Sequence, residues 1–209
     1  MMNKEDKIHW VYSSRSIQEL ETRYDEWAYS YDSHLAETTG YAIPQATMLA
    51  VNKLLDPTAK ILDAGAGTGL TGETLFANGY KDLHAIDLSE QMLAVAASKN
   101  IYESLLKMKL GDELDFVTDK FDAVVVTGVF TTGHAKPESL DELVRVTKSE
   151  GHIIFSINLD AYENLGFRQK MDQLSEIGTW KEVYCSEEFK GLPNYETEVF
   201  HRVWGFKIL

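Results

Sequence analysis

Cysteine is almost absent from this sequence of 209 residues. The single cysteine, Cys185, excludes an internal disulfide bond and a metal site built from several cysteines. Also missing are an apolar run close to the roughly 18 residues of a membrane-spanning helix and a signal-peptide pattern at the start of the chain. These absences predict a protein that does not contact a membrane and lies in the cytoplasm, with the nucleus left open.

Basic residues are scarce relative to acidic ones. Lys and Arg number 20 against 33 Asp and Glu, which leaves a formal charge of −13. Proteins that bind a phosphate backbone rely on clustered Lys and Arg, and no such cluster stands out along this sequence. Composition therefore favours a small molecule or a protein over nucleic acid as the partner, and it points to no particular partner protein.

The remaining composition is that of an ordinary globular protein, with 44% hydrophobic and 25% charged residues. No repeat, low-complexity stretch or linker divides the sequence, so we expect one domain over residues 1–209. Residues 1–56 are predicted to form a helical cap and residues 57–209 an α/β core. The polar start, Met1 to about Ser14, is predicted to be frayed.

Helical spacing of apolar residues predicts a helix from Ser16 onward. One face of this helix carries Tyr24, Trp27, Ala28, Tyr31 and Leu35. Gly40 should end it, and Pro44 suits the first turn of a second helix. The aromatic face can be ordinary core packing, a wall of a binding site, or both.

A glycine-rich motif lies between two predicted strands, from Lys60 to Asp87. Glycines at 65, 67 and 69 permit backbone conformations closed to other residues and let a ligand approach the main chain. The loop leads into a predicted helix, whose first N–H groups attract an anionic group. Asp87 ends the second strand, where its carboxylate can accept hydrogen bonds from both hydroxyls of a ribose.

Two classes of nucleoside ligand use such a layout. The spacing Gly67-x-Gly69-x-x-Gly72 matches the dinucleotide fingerprint, which favours a nicotinamide or flavin nucleotide. Asp63, directly before the loop, would instead face the negative pyrophosphate of such a ligand, and an acid there prefers a cationic partner. S-adenosylmethionine has an ammonium and a sulfonium, and its carboxylate can still use the N–H groups of the loop.

The run Leu62-Asp63-Ala64-Gly65-Ala66-Gly67-Thr68-Gly69, together with Asp87, resembles the cofactor motif of class I S-adenosylmethionine-dependent methyltransferases. The resemblance covers roughly residues 20–160, and it looks closest to the methyltransferase-like proteins named after the Williams-Beuren syndrome chromosome region. It implies a Rossmann-like α/β fold, S-adenosylmethionine as cofactor and an acceptor that the resemblance does not identify. The implied sheet is mostly parallel and seven-stranded, with an antiparallel C-terminal hairpin.

The resemblance also implies the residues that contact the cofactor. The N-terminal segment around Tyr31 and Asp32 folds over the methionine end in such proteins, and the acid matching Asp112 accepts from the adenine amine. Val129 and its neighbours follow a buried strand, where the ligand crevice of an open α/β sheet lies. The implied cofactor-binding residues are Tyr24, Trp27, Tyr31, Asp63, Ala64, Gly65, Gly67, Gly69, Asp87, Leu88, Met92, Asp112, Glu113, Thr127, Gly128 and Val129.

The order of apolar runs predicts the positions of the later strands. A third strand is expected near 105–110, a fourth at 121–127 and a fifth at 152–158, with the terminal hairpin formed by about 180–189 and 195–208. A loop from Gly128 to His134 is expected after the fourth strand.

Catalytic candidates are few. His134 suits a general base, although a hydrogen-bonded loop histidine is the plainer interpretation. The loop beginning at Thr127 lacks the Asn/Asp-Pro-Pro-aromatic signature of amine-methylating relatives, and it lacks the cysteine of pyrimidine C5 methylation. Asn158 and Asp160 lack a clear third ligand, so no metal is predicted. The alternatives are a non-catalytic S-adenosylmethionine-binding protein and an NAD-dependent oxidoreductase.

Overall fold

The computed structural model describes residues 6–195 and 199–209, which begin with a group of helices. These are α1 (Asp6–Tyr12), α2 (Ile17–Thr38) and α3 (Ile43–Leu54). Ser16 caps the N-terminus of α2 by accepting a hydrogen bond from the backbone N–H of Glu19 at 3.1 Å. Gly40 follows α2 with a φ of +65°, and Pro44 lies in the first turn of α3.

The prediction of a frayed start is wrong from Asp6 onward, while residues 1–5 lie outside the described residues. Ile8 and Val11 of α1 are buried at 5% and 0% exposure. They pack with Leu20 of α2 and with Leu192 near the C-terminus. Two apolar residues three positions apart form a stripe too short to stand out from the polar residues around it.

After α3, strands and helices alternate. In chain order they are β1 (Ile61–Ala64), α4 (Leu70–Ala77), β2 (Leu83–Asp87), α5 (Glu90–Ser98), β3 (Ser104–Lys107), β4 (Phe121–Phe130), α6 (Ser139–Val146), β5 (Thr147–Asn158), α7 (Leu159–Asn164), α8 (Phe167–Glu176), β6 (Trp180–Cys185), β7 (Phe189–Lys190) and β8 (Phe200–Ile208).

The strands form one sheet in the order β3-β2-β1-β4-β5-β8-β6, with β7 paired to β8 beside this path. Neighbours from β3 to β5 are parallel, and β8 runs antiparallel to β5, β6 and β7. This confirms the predicted fold class: a mostly parallel Rossmann-like sheet with antiparallel C-terminal strands. The two-residue strand β7 was not expected.

Several strand boundaries differ from the prediction. Strand β3 spans 104–107 and does not reach 110, and β8 begins at 200. Strand β4 continues to Phe130, which pairs with Ile157 after an irregularity in the ladder. Part of the predicted 128–134 loop is therefore strand, because β5 extends far enough to pair with it.

The core lies on both faces of the sheet. On one face, Phe121, Phe130 and Phe155 pack with α6, α7 and α8. On the other face, Met48 and Val51 of α3 pack with strand residues including Val125 and with Leu75 of α4. Helices α1 and α2 form a third cluster with Leu192. The division of the chain into a cap (1–56) and a core (57–209) stays a prediction. Helix α3, which falls on the cap side of that division, packs directly on the sheet.

Within the ranges 6–195 and 199–209, no helix combines the length and hydropathy that crossing a bilayer would require.

Candidate functional site

A cavity of about 510 Å³ lies at the carboxyl ends of the parallel strands, beneath α2. That is where an open α/β sheet places its ligand, and the volume is in the range of small-molecule sites, roughly 300–1,000 Å³. The predicted site residues in its wall are Tyr24, Tyr31, Gly65, Gly67, Asp87, Leu88, Met92, Asp112, Thr127, Gly128, Val129 and His134. The topology thus brings together residues spread over more than half of the sequence.

Five predicted site residues lie outside this wall. Trp27 is buried behind the wall and contacts the rings of Tyr24 and Tyr31. Asp63 and Ala64 are fully buried at the end of β1. Gly69 precedes the first residue of α4, and Glu113 is exposed beside Asp112.

The glycine loop is held by backbone hydrogen bonds to the second strand. The N–H groups of Gly65 and Ala66 donate to the carbonyl of Ile86 at 2.8 and 3.0 Å. Gly65 has a φ of +81°, and a Cβ atom there would lie 2.4 Å from Cγ2 of Val129. Gly67 has a φ of +55°, and a Cβ there would meet no atom within 4 Å. The first glycine makes room for protein, and the second faces open space.

The carboxylate of Asp87 lies at the junction of this loop and β2. Its Oδ2 accepts from the N–H of Gly67 at 2.8 Å, and its Oδ1 accepts from the N–H of Ser89 at 2.9 Å. Burial raises the pKa of Asp87, and these backbone donors oppose the rise. A carboxylate has about four acceptor positions, so Asp87 keeps capacity to accept hydrogen bonds from hydroxyls in the cavity.

Asp63 lies under the loop and is the most deeply buried acid of the site. Its Oδ2 accepts from the hydroxyl of Tyr102 at 2.6 Å, while its Oδ1 has no hydrogen-bond partner among the described residues. Burial raises the pKa of Asp63 to about 7, and the nearby charge of Asp87 adds to this. A carboxyl group directly beneath the glycine loop disfavours a pyrophosphate in that loop.

His134 is held from both ring nitrogens. Its Nε2 lies 2.7 Å from the hydroxyl of Tyr24, and its Nδ1 lies 3.0 Å from the carbonyl of Thr132. A carbonyl only accepts, so we assign the proton to Nδ1, and Nε2 accepts from Tyr24. Burial lowers the pKa of His134, which keeps the ring neutral near pH 7. The basic nitrogen is therefore already bound to a tyrosine hydroxyl.

Helix α2 is fastened over the cavity by two acids that lie seven residues apart. Asp25 accepts from the hydroxyl of Ser89 at 2.6 Å. Asp32 accepts from the hydroxyl of Thr68 in the glycine loop and pairs with Lys99 at 2.7 Å. Each acid joins the helix to an element that borders the cavity, so the position of α2 depends on the loops below it.

No group of three or more His, Cys, Asp or Glu suited to a metal ion occurs among residues 6–195 and 199–209. The two residues considered at the end of β5 have a local role. Oδ1 of Asn158 accepts from the N–H groups of Asp160 and Ala161 and caps α7.

Comparison with known proteins identifies the family. Residues 62–155 match a family model described as a methyltransferase domain. The chain is also 32% identical over 166 residues to human methyltransferase-like protein 27, which covers 76% of this chain and 66% of that protein. The chain belongs to the class I methyltransferases. The family predicted from the glycine motif is thus confirmed, and the finer likeness to the Williams-Beuren proteins stays a prediction.

Other similar proteins carry more specific names. The chain is 35% identical over 71 residues to the 18S rRNA (guanine(1575)-N(7))-methyltransferase of Saccharomyces cerevisiae, covering 34% of this chain and 26% of that protein. A TehB-like SAM-dependent methyltransferase from Corynebacterium glutamicum superposes with a TM-score of 0.65 at 18% identity, covering 90% of this chain and 99% of that one. The structural likeness shows the fold alone.

The chain spans 66% and 26% of the lengths of the two named relatives.

Sequence reasoning missed several residues of the site. Tyr41, Thr68 and the segment Met108–Leu110 line the cavity, and Tyr102 supports Asp63. The sequence could have indicated the pair Asp25 and Asp32, because residues seven positions apart lie on one face of a helix. No sequence pattern pointed to Tyr41 and Tyr102, because only the packing of distant segments brings them to the site.

Proposed function

We propose that this methyltransferase transfers a methyl group from S-adenosylmethionine to a small-molecule or protein acceptor. The observation that carries the proposal is the position of Asp87, whose carboxylate is anchored to the glycine loop and borders the 510 Å³ cavity. A ribose needs such an acceptor for its paired hydroxyls. Asp63, beneath the glycine loop, makes this end of the cavity better suited to a cationic than to a polyanionic ligand.

The types of the residues present suit S-adenosylmethionine, and most of them line the cavity. In this proposal Asp87 holds the ribose, with Leu88, Met92, Asp112 and Glu113 on the adenine side. The methionine part is held by the remaining predicted residues, which are Tyr24, Trp27, Tyr31, Asp63, Ala64, Gly65, Gly67, Gly69, Thr127, Gly128 and Val129. Trp27, Asp63, Ala64 and Gly69 act from behind the wall, and Glu113 acts from the surface.

The cofactor supplies an electrophilic methyl group on a sulfonium, so the chain itself has little covalent chemistry to perform. Orientation of an acceptor and exclusion of water can supply most of the rate. Helix α2, fastened through Asp25 and Asp32, covers the cavity and serves that purpose. His134 is the candidate base, and its Nε2 becomes available only when the Tyr24 hydroxyl moves away.

The first test is titration calorimetry of the purified protein with S-adenosylmethionine, S-adenosylhomocysteine and NAD. We expect binding of the first two and none of NAD, because Asp63, directly beneath the glycine loop, repels a pyrophosphate. Tight binding of NAD without a response to either S-adenosyl compound would favour the oxidoreductase instead.

Binding alone does not separate an enzyme from a non-catalytic cofactor-binding protein. An acceptor screen with labelled S-adenosylmethionine makes that distinction, and His134→Gln provides the variant to compare. A fall in kcat with unchanged cofactor affinity identifies His134 as the base; equal rates leave orientation as the source of catalysis.

For the acceptor, the proposal favours a small molecule or a protein over nucleic acid. The formal charge of −13 repels a polyanion. The relatives do not support this preference against nucleic acid, because one of them is named as an rRNA methyltransferase. The preference rests on the charge of this chain. We expect no RNA or DNA binding by filter retention at low salt. Micromolar affinity that weakens steeply with added salt would contradict this.

The cytoplasmic location stays a prediction from the sequence.

A further inference from the structure

Tyr102, just before β3, reaches the glycine motif from outside the cavity. Its hydroxyl donates to Oδ2 of Asp63 at 2.6 Å. A Cβ atom on Gly72 would lie 2.0 Å from this hydroxyl oxygen, and a Cβ on Gly69 would lie 3.1 Å from the tyrosine ring. Position 72 must therefore be glycine for the tyrosine to reach the carboxyl group, and Gly69, with a φ of +87°, borders the tyrosine ring.

This packing explains the dinucleotide-like spacing in different terms. In a dinucleotide fold the last two fingerprint glycines allow the backbone to approach a pyrophosphate and a helix to pack on its strand. Here Gly69 and Gly72 leave room for a tyrosine. The Gly67-x-Gly69-x-x-Gly72 match therefore does not require a dinucleotide ligand.

We propose that Tyr102 is a positioning residue that holds the carboxyl group of Asp63 beneath the glycine loop, where its negative charge attracts the cationic amino-acid end of S-adenosylmethionine. Asp63 would attract the ligand by electrostatic interaction at a distance and not by direct contact, because its side chain is fully buried behind the cavity wall. The proposal rests on the proposed cofactor.

Several ionisable groups surround this pair. Asp87 faces Asp63 from β2. Tyr41 lies in the cavity wall, and burial together with the nearby charge of Asp63 raises its pKa. Glu73 of α4 faces Tyr102. Burial and the adjacent acids raise the pKa of Tyr102 well above its ordinary value, so its hydroxyl remains a donor.

The hydroxyl matters because Asp63 titrates near neutrality. Burial, the larger effect, raises the pKa of Asp63 to about 7, and the Tyr102 hydrogen bond lowers it. Only the ionised carboxylate attracts a cation, so affinity for a ligand with an ammonium should rise with pH. Loss of the hydroxyl should raise the pKa of Asp63 and move this rise to higher pH.

The test is titration calorimetry between pH 6 and pH 9 with S-adenosylhomocysteine and with 5′-methylthioadenosine, which lacks the charged amino-acid end. In the wild-type protein, S-adenosylhomocysteine affinity should rise about tenfold from pH 6 to pH 8, as for one carboxylate titrating near 7. The affinity for 5′-methylthioadenosine should rise much less. This second ligand keeps the ribose and so controls for titration of Asp87.

Tyr102→Phe removes the hydroxyl and keeps the ring. At pH 7 its affinity for S-adenosylhomocysteine should fall about fivefold, because a higher pKa leaves less of the Asp63 carboxyl group ionised, and the loss should shrink at higher pH while the ligand ammonium stays protonated. Tyr80→Phe is the matched control, because the Tyr80 hydroxyl bonds to the carbonyls of Val51 and Leu55. It should leave the pH profile unchanged.

Gly72→Ala tests the role of Tyr102 by a second, independent substitution. Alone it should weaken binding as Tyr102→Phe does, because the new Cβ displaces the hydroxyl. In a Tyr102→Ala background, which frees the space, Gly72→Ala should cost little more.

The outcomes are distinguishable. If the wild-type protein binds neither S-adenosyl compound, the proposed function itself fails. If it binds them and folded Tyr102→Phe keeps the wild-type affinity and pH profile, the role of Tyr102 is refuted. An equal loss for both ligands at every pH would also refute it, since that is the result of a purely structural contact.

Discussion

Asp87→Ala is expected to lower the affinity for S-adenosylhomocysteine by at least about tenfold. One or two hydrogen bonds from ribose hydroxyls to a carboxylate are lost, each worth about 1.5–3 kcal/mol. The N–H of Gly67 also loses the acceptor that holds the glycine loop beside β2. Titration calorimetry near pH 7 measures the change, and circular dichroism checks that the variant folds.

Asp82→Ala is the control for this experiment. Asp82 precedes β2 at the opposite end from Asp87, and it is half-buried and pairs with His84. Removing it makes the same change in net charge far from the cavity, so affinity should hold. A folded Asp87→Ala protein with wild-type affinity would show that the ribose lies elsewhere.

Gly65→Ala is expected to affect both stability and binding. The backbone φ of +81° costs a residue with a Cβ about 1–2 kcal/mol. The Cβ would also lie 2.4 Å from Cγ2 of Val129, and overpacking of this kind costs about 1–3 kcal/mol more. Relief of the clash requires the loop or Val129 to move, and both border the cavity. Cofactor affinity should therefore fall more than tenfold.

Two comparisons separate the parts of this effect. In a Val129→Ala background the clash is absent, so Gly65→Ala should lose only the backbone share of the free energy of unfolding, about 1–2 kcal/mol. Gly67→Ala meets open space in the protein, so it should destabilise less than Gly65→Ala and still weaken binding. Urea denaturation and calorimetry of the wild type, the three single variants and the double variant measure both quantities. If Gly67→Ala binds as the wild type does, the ligand does not occupy the space beside Gly67.

Local chemistry determined a large part of this molecule. The acid, the alternating glycines and a second acid at the end of the next strand are close in sequence, and their spacing alone predicts a strand, loop, helix and strand around a nucleoside. The buried run over 121–127 and the cap of α2 at Ser16 follow from apolar pattern and side-chain hydrogen bonding. Fold class and family could therefore be predicted.

The tertiary structure decided which distant residues meet at the site. Tyr102 reaches Asp63, 39 residues earlier, and Tyr24 reaches His134, 110 residues later. It also decided that Asp63 lies behind the cavity wall and not in it, and that the glycines at 69 and 72 accommodate a tyrosine. Local pattern carries the preference of each segment for helix or strand, but contacts between segments arise only when the apolar faces of the whole chain are buried together.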